Sequence, residues 1–462
     1  MKVFIEEARG SEQSAPVPLP LSRPDFLALR RRSLRASIVE GAFTMVFMTW
    51  TSGSVLTGYL LALGATPLEI AAAASMPFLI QVFGPLVTWW AARVRNRILY
   101  IQTMTAFGRG MWAVAVFLPW MDFSRPAQVL IGLIAISGLL QVGTGPAWVS
   151  LMGDTVLSEE RGRYFGLRNG IMSVVSTAAA LSAGYYLDRA RSPDGFQFIM
   201  AIALIFAVVG IVLYAQQVDP PRSVTLKSFS ESVREPLRNK VFLRFVLFSM
   251  YWNAAVMVSS PFVFPYFLGP LRMSFTQVAM WSAIVAIVTL IAAPLWGRVA
   301  DQVGHKTVLK ITSLIVGIVL PLCWILSAPD FLPFIWLSAV VDGVGWGGFN
   351  TAAFNMSLVT APARARMMYL AVLGAATGAT GFFAALLSGL LFESLGRLTY
   401  TIGSFEWTAF HNLFLLAIFL RGSAWFLLKQ VPDSPGRSLM QLLREYTQRG
   451  MSLVLQSRTG AA

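Results

Sequence analysis

Long apolar runs alternate with short polar loops along almost the whole chain. A hydrocarbon core of roughly 30 Å requires about 20 apolar residues from each helix that crosses it. Twelve segments are long enough, some with help from Gly and Pro, and we number them 1 to 12: 38–62, 67–91, 98–119, 127–151, 165–187, 196–217, 242–268, 275–299, 308–327, 332–356, 367–391 and 409–429. The pattern predicts an all-α membrane protein with twelve transmembrane helices.

The basic residues lie mainly on one side of these segments. Of the 36 Lys and Arg residues, 29 fall in the N-terminal tail, in the loops after even-numbered segments, or in the C-terminal tail. The five on the other side are Arg125, Arg189, Arg191, Arg272 and Arg397. Two more, Arg109 and Arg421, lie deep inside segments, and basic residues near the segment ends are counted with the adjoining loops. Because cytoplasmic loops are enriched in Lys and Arg, we expect both termini in the cytoplasm and a multi-pass protein of the cell inner membrane.

The longest internal polar stretch follows segment 6 and divides the chain into two halves. An Arg-x-Arg pair follows segment 4 (Arg161 and Arg163) and another follows segment 10 (Arg364 and Arg366), 203 residues later. The halves are therefore expected to be repeats of one six-helix unit. The predicted domains are a cytoplasmic basic amphipathic tail (1–36), an N-terminal six-helix bundle (37–217), a cytoplasmic linker (218–240), a C-terminal six-helix bundle (241–430) and a cytoplasmic tail (431–462).

Composition supports the membrane location and argues against several kinds of site. The chain is 56% hydrophobic and 13% charged, whereas soluble domains carry about 25% charged residues, so the apolar excess is expected to face lipid. The net charge of +14 lies in clusters between apolar runs, which favours membrane loops over nucleic-acid binding. A single cysteine, Cys323, excludes an internal disulfide, and two histidines argue against a haem or zinc site. We expect no cofactor, no metal and no enzymatic activity.

Both tails have amphipathic stretches. Residues 1–36 lack the apolar core of a cleavable signal peptide, and residues 21–35 are expected to lie at the membrane surface. Residues 439–453 could dock a partner or form another surface helix.

The loop after segment 8 carries the most specific motif. It contains Gly297, Asp301, Gly304 and Lys306 in the pattern Gly-x-x-x-Asp-x-x-Gly-x-Lys, which resembles the loop signature of the major facilitator superfamily. The first-half copy, TWWAARVRNR at 88–97, keeps Arg97 but lacks the glycines and the acidic residue. The stretches RGRYFGLRN (161–169) and GWGGFNTAAFN (345–355) resemble a large bacterial branch of this family. The resemblance covers about residues 36–430.

This resemblance implies a fold and a mechanism. We expect two pseudo-symmetric six-helix bundles that alternate between inward-open and outward-open states. It also implies a gating role for Asp301, whose carboxylate would pair with Arg161 or Arg163 of the other half and hold one state shut. The alternative for Asp301 is a helix cap at the cytoplasmic surface.

Four ionisable residues lie inside segments, where charge is costly and usually functional. Glu40 shares a helix face with Thr44 and Thr51. It could bind a proton or a cationic substrate, or it could be a carboxylate paired at the cytoplasmic interface. Arg109 lies near the middle of segment 3, where it could attract an anionic substrate, or form a structural ion pair or clamp on backbone carbonyls.

The other two lie in the second half. Asp342 is followed by four glycines within six residues, which allow close helix packing. It is the leading candidate for protonation, and its alternative is structural pairing with Arg421. For Arg421, in segment 12, a structural role is favoured.

Uncharged polar and aromatic residues could complete a pocket. In the resembled family, segments 1, 4, 7 and 10 line the central cavity, so the candidates on these segments are Gln141, Trp148, Asn253, Trp346 and Asn350. The alternative for each of them is a hydrogen bond between helices.

These features together favour a secondary active transporter that moves a small solute and acts as a monomer in the bilayer. Protons are the expected coupling ion if Asp342 or Glu40 titrates. The aromatic, Met-rich segments favour export of a moderately lipophilic compound, with an anionic metabolite drawn by Arg109 as the rival. The alternative function is a non-transporting assembly factor or sensor on the same scaffold.

Overall fold

A computed structural model describes residues 23–157, 159–220, 228–362, 365–396, 399–402 and 405–431. The structure of these residues is dominated by helices, and each of the twelve predicted segments coincides with a helix or with a broken helix. The first half contains α1 (Arg23–Trp50, continued by Gly53–Ala62), α2 (Pro67–Gln81 and Gly84–Ala91), α3 (Arg97–Phe117), α4 (Pro126–Gln141 and Thr144–Thr155), α5 (Arg161–Leu187) and α6 (Asp194–Tyr214).

The second half repeats this order after a linker helix, Phe229–Arg238. It contains α7 (Lys240–Met257, a 3-10 turn at Ser260–Phe262, and Val263–Leu268), α8 (Phe275–Val303), α9 (His305–Leu314, a π-helical turn at Ile315–Val319, and Leu320–Ile325), α10 (Pro333–Thr360), α11 (Arg366–Leu395) and α12 (Ala409–Lys429). Two short antiparallel strands, β1 (Tyr400–Ile402) and β2 (Phe405–Trp407), precede α12.

Hydropathy alone supports fewer membrane spans than twelve. Among the described residues, eight helices are long and apolar enough to cross a membrane, or nine if the two parts of α2, bent by 46°, form one span. The segments that fall short are α1, α3 and α10, which carry Glu40, Arg109 and Asp342. Charged and polar side chains lower the hydropathy of these three helices. The eight or nine remaining helices identify a multi-pass membrane protein, and the count of twelve spans stays a prediction.

Glycine and proline account for the breaks in the helices. In α2 the second part starts at Gly84-Pro85, and in α7 the break precedes Pro261. Proline supplies no N–H to the preceding turn and therefore interrupts the hydrogen-bond ladder. The break in α1 ends at Gly53, whose φ of +58° is favourable only for glycine.

The helices alternate in direction, so their loops gather at two ends of the molecule. We call the end that carries the linker helix the linker end, and the end that carries the strands β1 and β2 the distal end. Within the first half α1 packs on α5 and α6, and α3 packs on α4 and α6. Within the second half α8 and α9 pack on α10, and α7 packs on α11 and α12.

Two helix pairs make most of the contacts between the halves, α2 with α11 and α5 with α8, and α7 adds smaller contacts with α1 and α2. In the first pair small residues allow close approach: a Cβ added at Gly378 of α11 would lie 2.5 Å from the carbonyl oxygen of Phe78. Glycine is thus required where the backbones of the two halves touch.

The pair α5 and α8 is closed only at the distal end. There, the Asp188 carboxylate at the end of α5 accepts hydrogen bonds from the backbone N–H groups of Phe275 (2.7 Å) and Thr276 (3.0 Å) at the start of α8. Toward the linker end, positions 162, 166 and 170 of α5 and Gly297 of α8 are glycines with open space where a Cβ would be. The α5 and α8 pair therefore has open space toward the linker end, whereas α2 and α11 stay in contact there through Gly84 and Trp89.

The tails contribute little to the described structure. Residues 21–35, predicted to be a surface stretch, are described from Arg23 onward as the start of α1. The predicted stretch at 439–453 and Arg364 of the second Arg-x-Arg pair lie outside the described residues.

Candidate functional site

Glu40 is buried at the centre of a polar cluster in the first half. Its residue exposure is 1%, and its carboxylate accepts a hydrogen bond of 2.5 Å from the Thr44 hydroxyl one turn further along α1. Residues four apart lie on the same helix face, which makes this contact possible. The hydroxyl of Tyr214, on α6, also faces the carboxylate.

Arg109 of α3 lies beside this carboxylate. It is 5% exposed, and its guanidinium carbon is 5.2 Å from the centre of the Phe47 ring. Its Nε and Nη1 atoms have no hydrogen-bond partner among the described residues. A Cβ added at Gly210 of α6 would lie 3.5 Å from Nη1. Helices α1, α3 and α6 thus meet around one carboxylate and one guanidinium in apolar surroundings.

Arg168 of α5 brings a second positive charge to the cluster. Its guanidinium carbon lies 4.4 Å above the centre of the Trp148 ring, and a Cβ added at Gly41 would be 2.7 Å from its Nη2 atom. The charges of Arg168 and Arg109 both act on Glu40. By position near a segment end Arg168 resembles a loop charge, and its role was not predicted from the sequence. Its position seven residues, or two helical turns, after Arg161 was the available signal, because that spacing places it inside the helix.

Arg168 also lines a cavity of about 370 Å³ between α1, α5 and α8. The volume is within the range of small-molecule sites. Its other lining residues are mostly small or polar: Met45, Asn169, Met172, Ser173, Ser176, Thr177, Ala180, Ser282, Ala283 and Ala286. Arg168 is therefore the residue that connects the buried cluster to the space between the two halves.

Arg421 forms a separate polar centre in the second half. It is 2% exposed and donates hydrogen bonds to the backbone carbonyls of Val316 (3.2 Å) and Val256 (3.1 Å) and to the Ser259 hydroxyl (2.7 Å). Within the described part of the chain it forms no ion pair with Asp342. The contacts of Arg421 tie α12 to α7 and α9.

Asp342 is half-buried on α10, on the same face as Trp346 and Asn350, which follow at intervals of four residues. The Trp346 ring packs on Trp252 and Phe349, and Asn350 is exposed. These three predicted residues share a face of α10, but none of them lines the cavity of Arg168.

Three other predicted residues bond to neighbouring helix atoms. The Gln141 amide donates to the Ser137 hydroxyl at 3.0 Å, the Asn253 amide donates to the Thr377 carbonyl at 2.7 Å, and the Thr51 hydroxyl donates to the Phe47 carbonyl at 2.7 Å. Only the bond of Asn253 joins two helices, α7 and α11, as its structural alternative requires; the bonds of Gln141 and Thr51 lie within α4 and α1. Trp148 differs from these residues, because its ring supports Arg168.

The gating loop does not form the predicted pair in this structure. Asp301 is exposed and has no ion pair among the described residues, and Arg163 is exposed. Arg161 instead donates to the Gly153 carbonyl (2.8 Å) at the end of α4. The interaction with Asp301 therefore stays a prediction, one that requires the linker ends of α5 and α8 to approach each other.

The other residues of this loop have structural contacts. Gly304 separates α8 from α9 with φ of +84°, a conformation that favours glycine. The ammonium group of Lys306 donates to the Lys429 carbonyl at 3.3 Å, which connects the start of α9 to the end of α12.

The first-half copy of the motif contains an ion network around buried Arg97 that was not predicted from the sequence. The guanidinium of Arg97, 1% exposed, pairs with Asp154 at the end of α4 (2.5 Å) and with Asp219 at the start of the linker (2.6 Å). The backbone N–H of Arg97 also donates to Asp219 at 2.7 Å. This copy of the motif lacks its own acidic residue. Carboxylates from α4 and the linker pair with its arginine instead.

Comparisons with known proteins identify the fold. The family model described as Major Facilitator Superfamily matches residues 40–268 and 256–455. No curated protein sequence matches the chain. The chain is similar in structure to the D-xylose-proton symporter (15% identity, TM-score 0.66, covering 89% of this chain and 99% of that one). It is also similar to the nucleoside transporter NupG (15%, 0.61, 87% and 98%) and to an inward-facing bacterial homologue of the iron transporter ferroportin (15%, 0.64, 88% and 98%).

Proposed function

Because the chain belongs to the major facilitator superfamily, we propose that it is a secondary transporter that moves a small solute across the inner membrane by alternating access. The proposal includes twelve membrane spans with both termini in the cytoplasm. Proteins of this fold carry sugars, nucleosides and metals, so the solute has to be inferred from the site.

The observation that carries the proposal is the buried charge cluster that adjoins a cavity between the two halves. Intramembrane charges are costly and are retained where they have a task. Glu40, Arg109 and Arg168 come from three different helices of one half, and Arg168 reaches a space that the other half also lines. A solute bound there would contact both halves and could bias their relative position.

The contacts between the halves indicate one of the two expected states. The distal ends of α5 and α8 are joined through Asp188, and their linker ends are apart. With the linker end in the cytoplasm, open space between α5 and α8 at that end supports the inward-facing state, while α2 and α11 remain in contact. Pairing of Asp301 with Arg161 or Arg163 would then belong to the outward-facing state, in which the linker ends meet.

Glu40 is the proposed site of proton coupling. Protonation would remove the negative charge that lies between Arg109 and Arg168, so the occupancy of the cavity and the charge of Glu40 would depend on each other. Asp342 is the second candidate. The hydroxyl groups and the guanidinium of the cavity lining favour a polar solute over the lipophilic one suggested by the sequence.

Transport by reconstituted protein tests the proposal. Proteoliposomes that enclose a pH-sensitive dye are given a panel of sugars, nucleosides, carboxylates and cations, and proton movement is recorded for each. We expect Glu40→Gln to abolish solute-driven proton movement while solute exchange persists. Glu393→Gln, at an exposed position of α11, is the matched control. Wild-type proton movement in Glu40→Gln would exclude Glu40 as the coupling site.

Cysteine labelling tests alternating access without a known solute. Single cysteines are placed at the linker end of α5, at Gly166, and at the distal end of α8, at Thr276. Membrane-impermeant reagents should reach each position from one side only, and conditions that protect one position should expose the other. Labelling that never changes at either end would contradict transport by alternating access.

A further inference from the structure

The polar cluster of the first half has more hydrogen-bond donors than acceptors. Arg109 Nε and Nη1, Arg168 Nε and Trp148 Nε1 are all buried atoms without a partner among the described residues. A buried donor left unpaired costs the desolvation free energy of that group, and the cost is higher for a charged group. Four such atoms in one cluster indicate that an acceptor from outside the chain belongs there.

The charges of the cluster support the same conclusion. Two guanidinium groups, of Arg109 and Arg168, act on a single carboxylate, that of Glu40. Tyr214, the other titratable group in contact with Glu40, is a phenol and contributes a hydroxyl. With Glu40 ionised the cluster carries one positive charge in excess, and with Glu40 protonated it carries two. Unpaired buried charge is strongly unfavourable, so an anion would stabilise either form.

The geometry selects Arg168 as the residue that meets this anion. Arg109 is enclosed by α1, α3 and α6, whereas Arg168 lies in the wall of the cavity. The Trp148 ring lies 4.4 Å from its guanidinium carbon and limits the freedom of the group. A planar guanidinium binds carboxylate or phosphate oxygens through two parallel hydrogen bonds. A lysine at this position would carry the charge without this geometry.

The neighbours of Arg168 indicate what else the ligand carries. Asn169, Ser173, Ser176 and Thr177 of α5 and Ser282 of α8 line the same cavity. Their amide and hydroxyl groups both donate and accept hydrogen bonds, which suits hydroxyl groups on a solute.

We propose that the transported solute is a small hydroxylated oxyanion, a carboxylate or phosphate ester, and that Arg168, stacked on Trp148, binds its anionic group. This inference rests on the proposed transport function and specifies its substrate class. Glu40 competes with the solute for the charge of Arg168, and Arg109 adds positive potential from behind the cavity wall.

The test uses iodide, an anionic quencher of tryptophan fluorescence, so that no substrate has to be known. The contribution of Trp148 is the difference between wild-type protein and Trp148→Phe. Positive potential concentrates anions near the ring, so iodide should quench this contribution at least about threefold more strongly than neutral acrylamide does. We expect Arg168→Gln to remove the preference for iodide and Arg168→Lys to retain part of it. Arg95→Gln, at an exposed position outside the cluster, is the control for loss of a charge.

Competition then tests the ligand class. Gluconate, glycerate and 3-phosphoglycerate should relieve iodide quenching of Trp148, whereas glucose and glycerol should not, at constant ionic strength. In Arg168→Gln the protecting concentration should rise about 10-fold, which corresponds to about 1.4 kcal/mol. If Arg168→Gln does not fold, the protecting concentrations are compared between wild-type protein and Arg168→Lys. The lysine keeps the charge and loses the paired hydrogen bonds, so a higher protecting concentration is again expected.

The outcomes separate this inference from the proposed function. Equal quenching by iodide in wild-type protein and Arg168→Gln would overturn the anion site, as would equal protection by gluconate and glucose. Protection by the anions that depends on Arg168, in a protein whose proteoliposomes move neither solute nor protons, would leave the anion site standing and refute transport. Transport of neutral solutes alone, unaffected by Arg168→Gln, would leave transport standing and refute the substrate class.

Discussion

Replacing Asp188 by alanine should open the distal end of the molecule. The first four N–H groups of a helix have no partner within the helix ladder, and in α8 the first of them, that of Ser274, donates to the Gln277 side chain at 2.9 Å. In α8 those of Phe275 and Thr276 bond to the Asp188 carboxylate of the other half, and that of Gln277 bonds to the Ser274 hydroxyl at 3.2 Å. The N-terminal cap of α8 is therefore complete only while the two halves are in contact at this end.

The size of the effect follows from these two hydrogen bonds. Loss of an N-terminal capping side chain costs about 0.5–2 kcal/mol, and the bonds exist only in the closed state, so the cost applies to that state alone. A change of about 1–2 kcal/mol shifts a two-state equilibrium by a factor of about 5–30. Asp188→Asn should have a smaller effect, because it retains an acceptor and loses only the attraction of a negative charge to the helix N-terminus, about 0.3–1 kcal/mol.

Distance measurement between spin labels reads this equilibrium directly. Labels at Asp122 and Asp330, exposed in distal loops of the two halves, report separation at that end after buried Cys323 is replaced by serine. The population with the short distance should fall in Asp188→Ala and fall less in Asp188→Asn. Asp194→Ala, in the first turn of α6, is the matched control. Identical distance distributions in wild-type protein and Asp188→Ala would refute the argument.

Two further substitutions test helix packing. Arg97→Gln removes the buried partner of two partly exposed carboxylates and should lower the free energy of unfolding by about 1–3 kcal/mol. Arg95→Gln, at an exposed position, should change it by no more than about 0.5 kcal/mol. Thermal unfolding in detergent compares the two variants, and equal midpoints would contradict the structural role of the network. Gly378→Ala places a methyl group 2.5 Å from the Phe78 carbonyl oxygen and should cost about 1–3 kcal/mol. Gly374→Ala, with 3.7 Å to its nearest neighbour, should be tolerated, and equal stability of the two alanine variants would show that α2 and α11 are less tightly packed than described.

The positions of the helices could be predicted from hydropathy because apolar length is a local property. The predicted segments coincide with α1 to α12, and the predicted linker at 218–240 contains the linker helix. The breaks in α2 and α7 were less predictable, because a proline permits a bend and the neighbouring helices decide its angle.

The site was only partly predictable, because burial of a side chain depends on which helices meet. Glu40 and Arg109 were identified from their depth in apolar segments, and the structure brings them together. Arg168 was missed because a basic residue near a segment end is indistinguishable, by counting, from a loop charge. Asp154 and Asp219 were missed because their partner, Arg97, lies in a different loop. Gln141 and Asn253 were plausible pocket residues by helix number, but Gln141 bonds to Ser137 within α4 and Asn253 bonds to Thr377 of α11.

Arg421 makes the irregular parts of α7 and α9 stiff. Its guanidinium holds the Val256 carbonyl beside the break in α7 and the Val316 carbonyl in the π-helical turn of α9. Straightening either helix would withdraw one acceptor from a buried cation, at a cost of about 1.5–3 kcal/mol. A broken helix is usually considered a hinge. Here the guanidinium of Arg421, on α12, is hydrogen-bonded to both α7 and α9, and we expect these three helices to move together as one rigid body. Elastic bending during transport should therefore be sought elsewhere in the molecule.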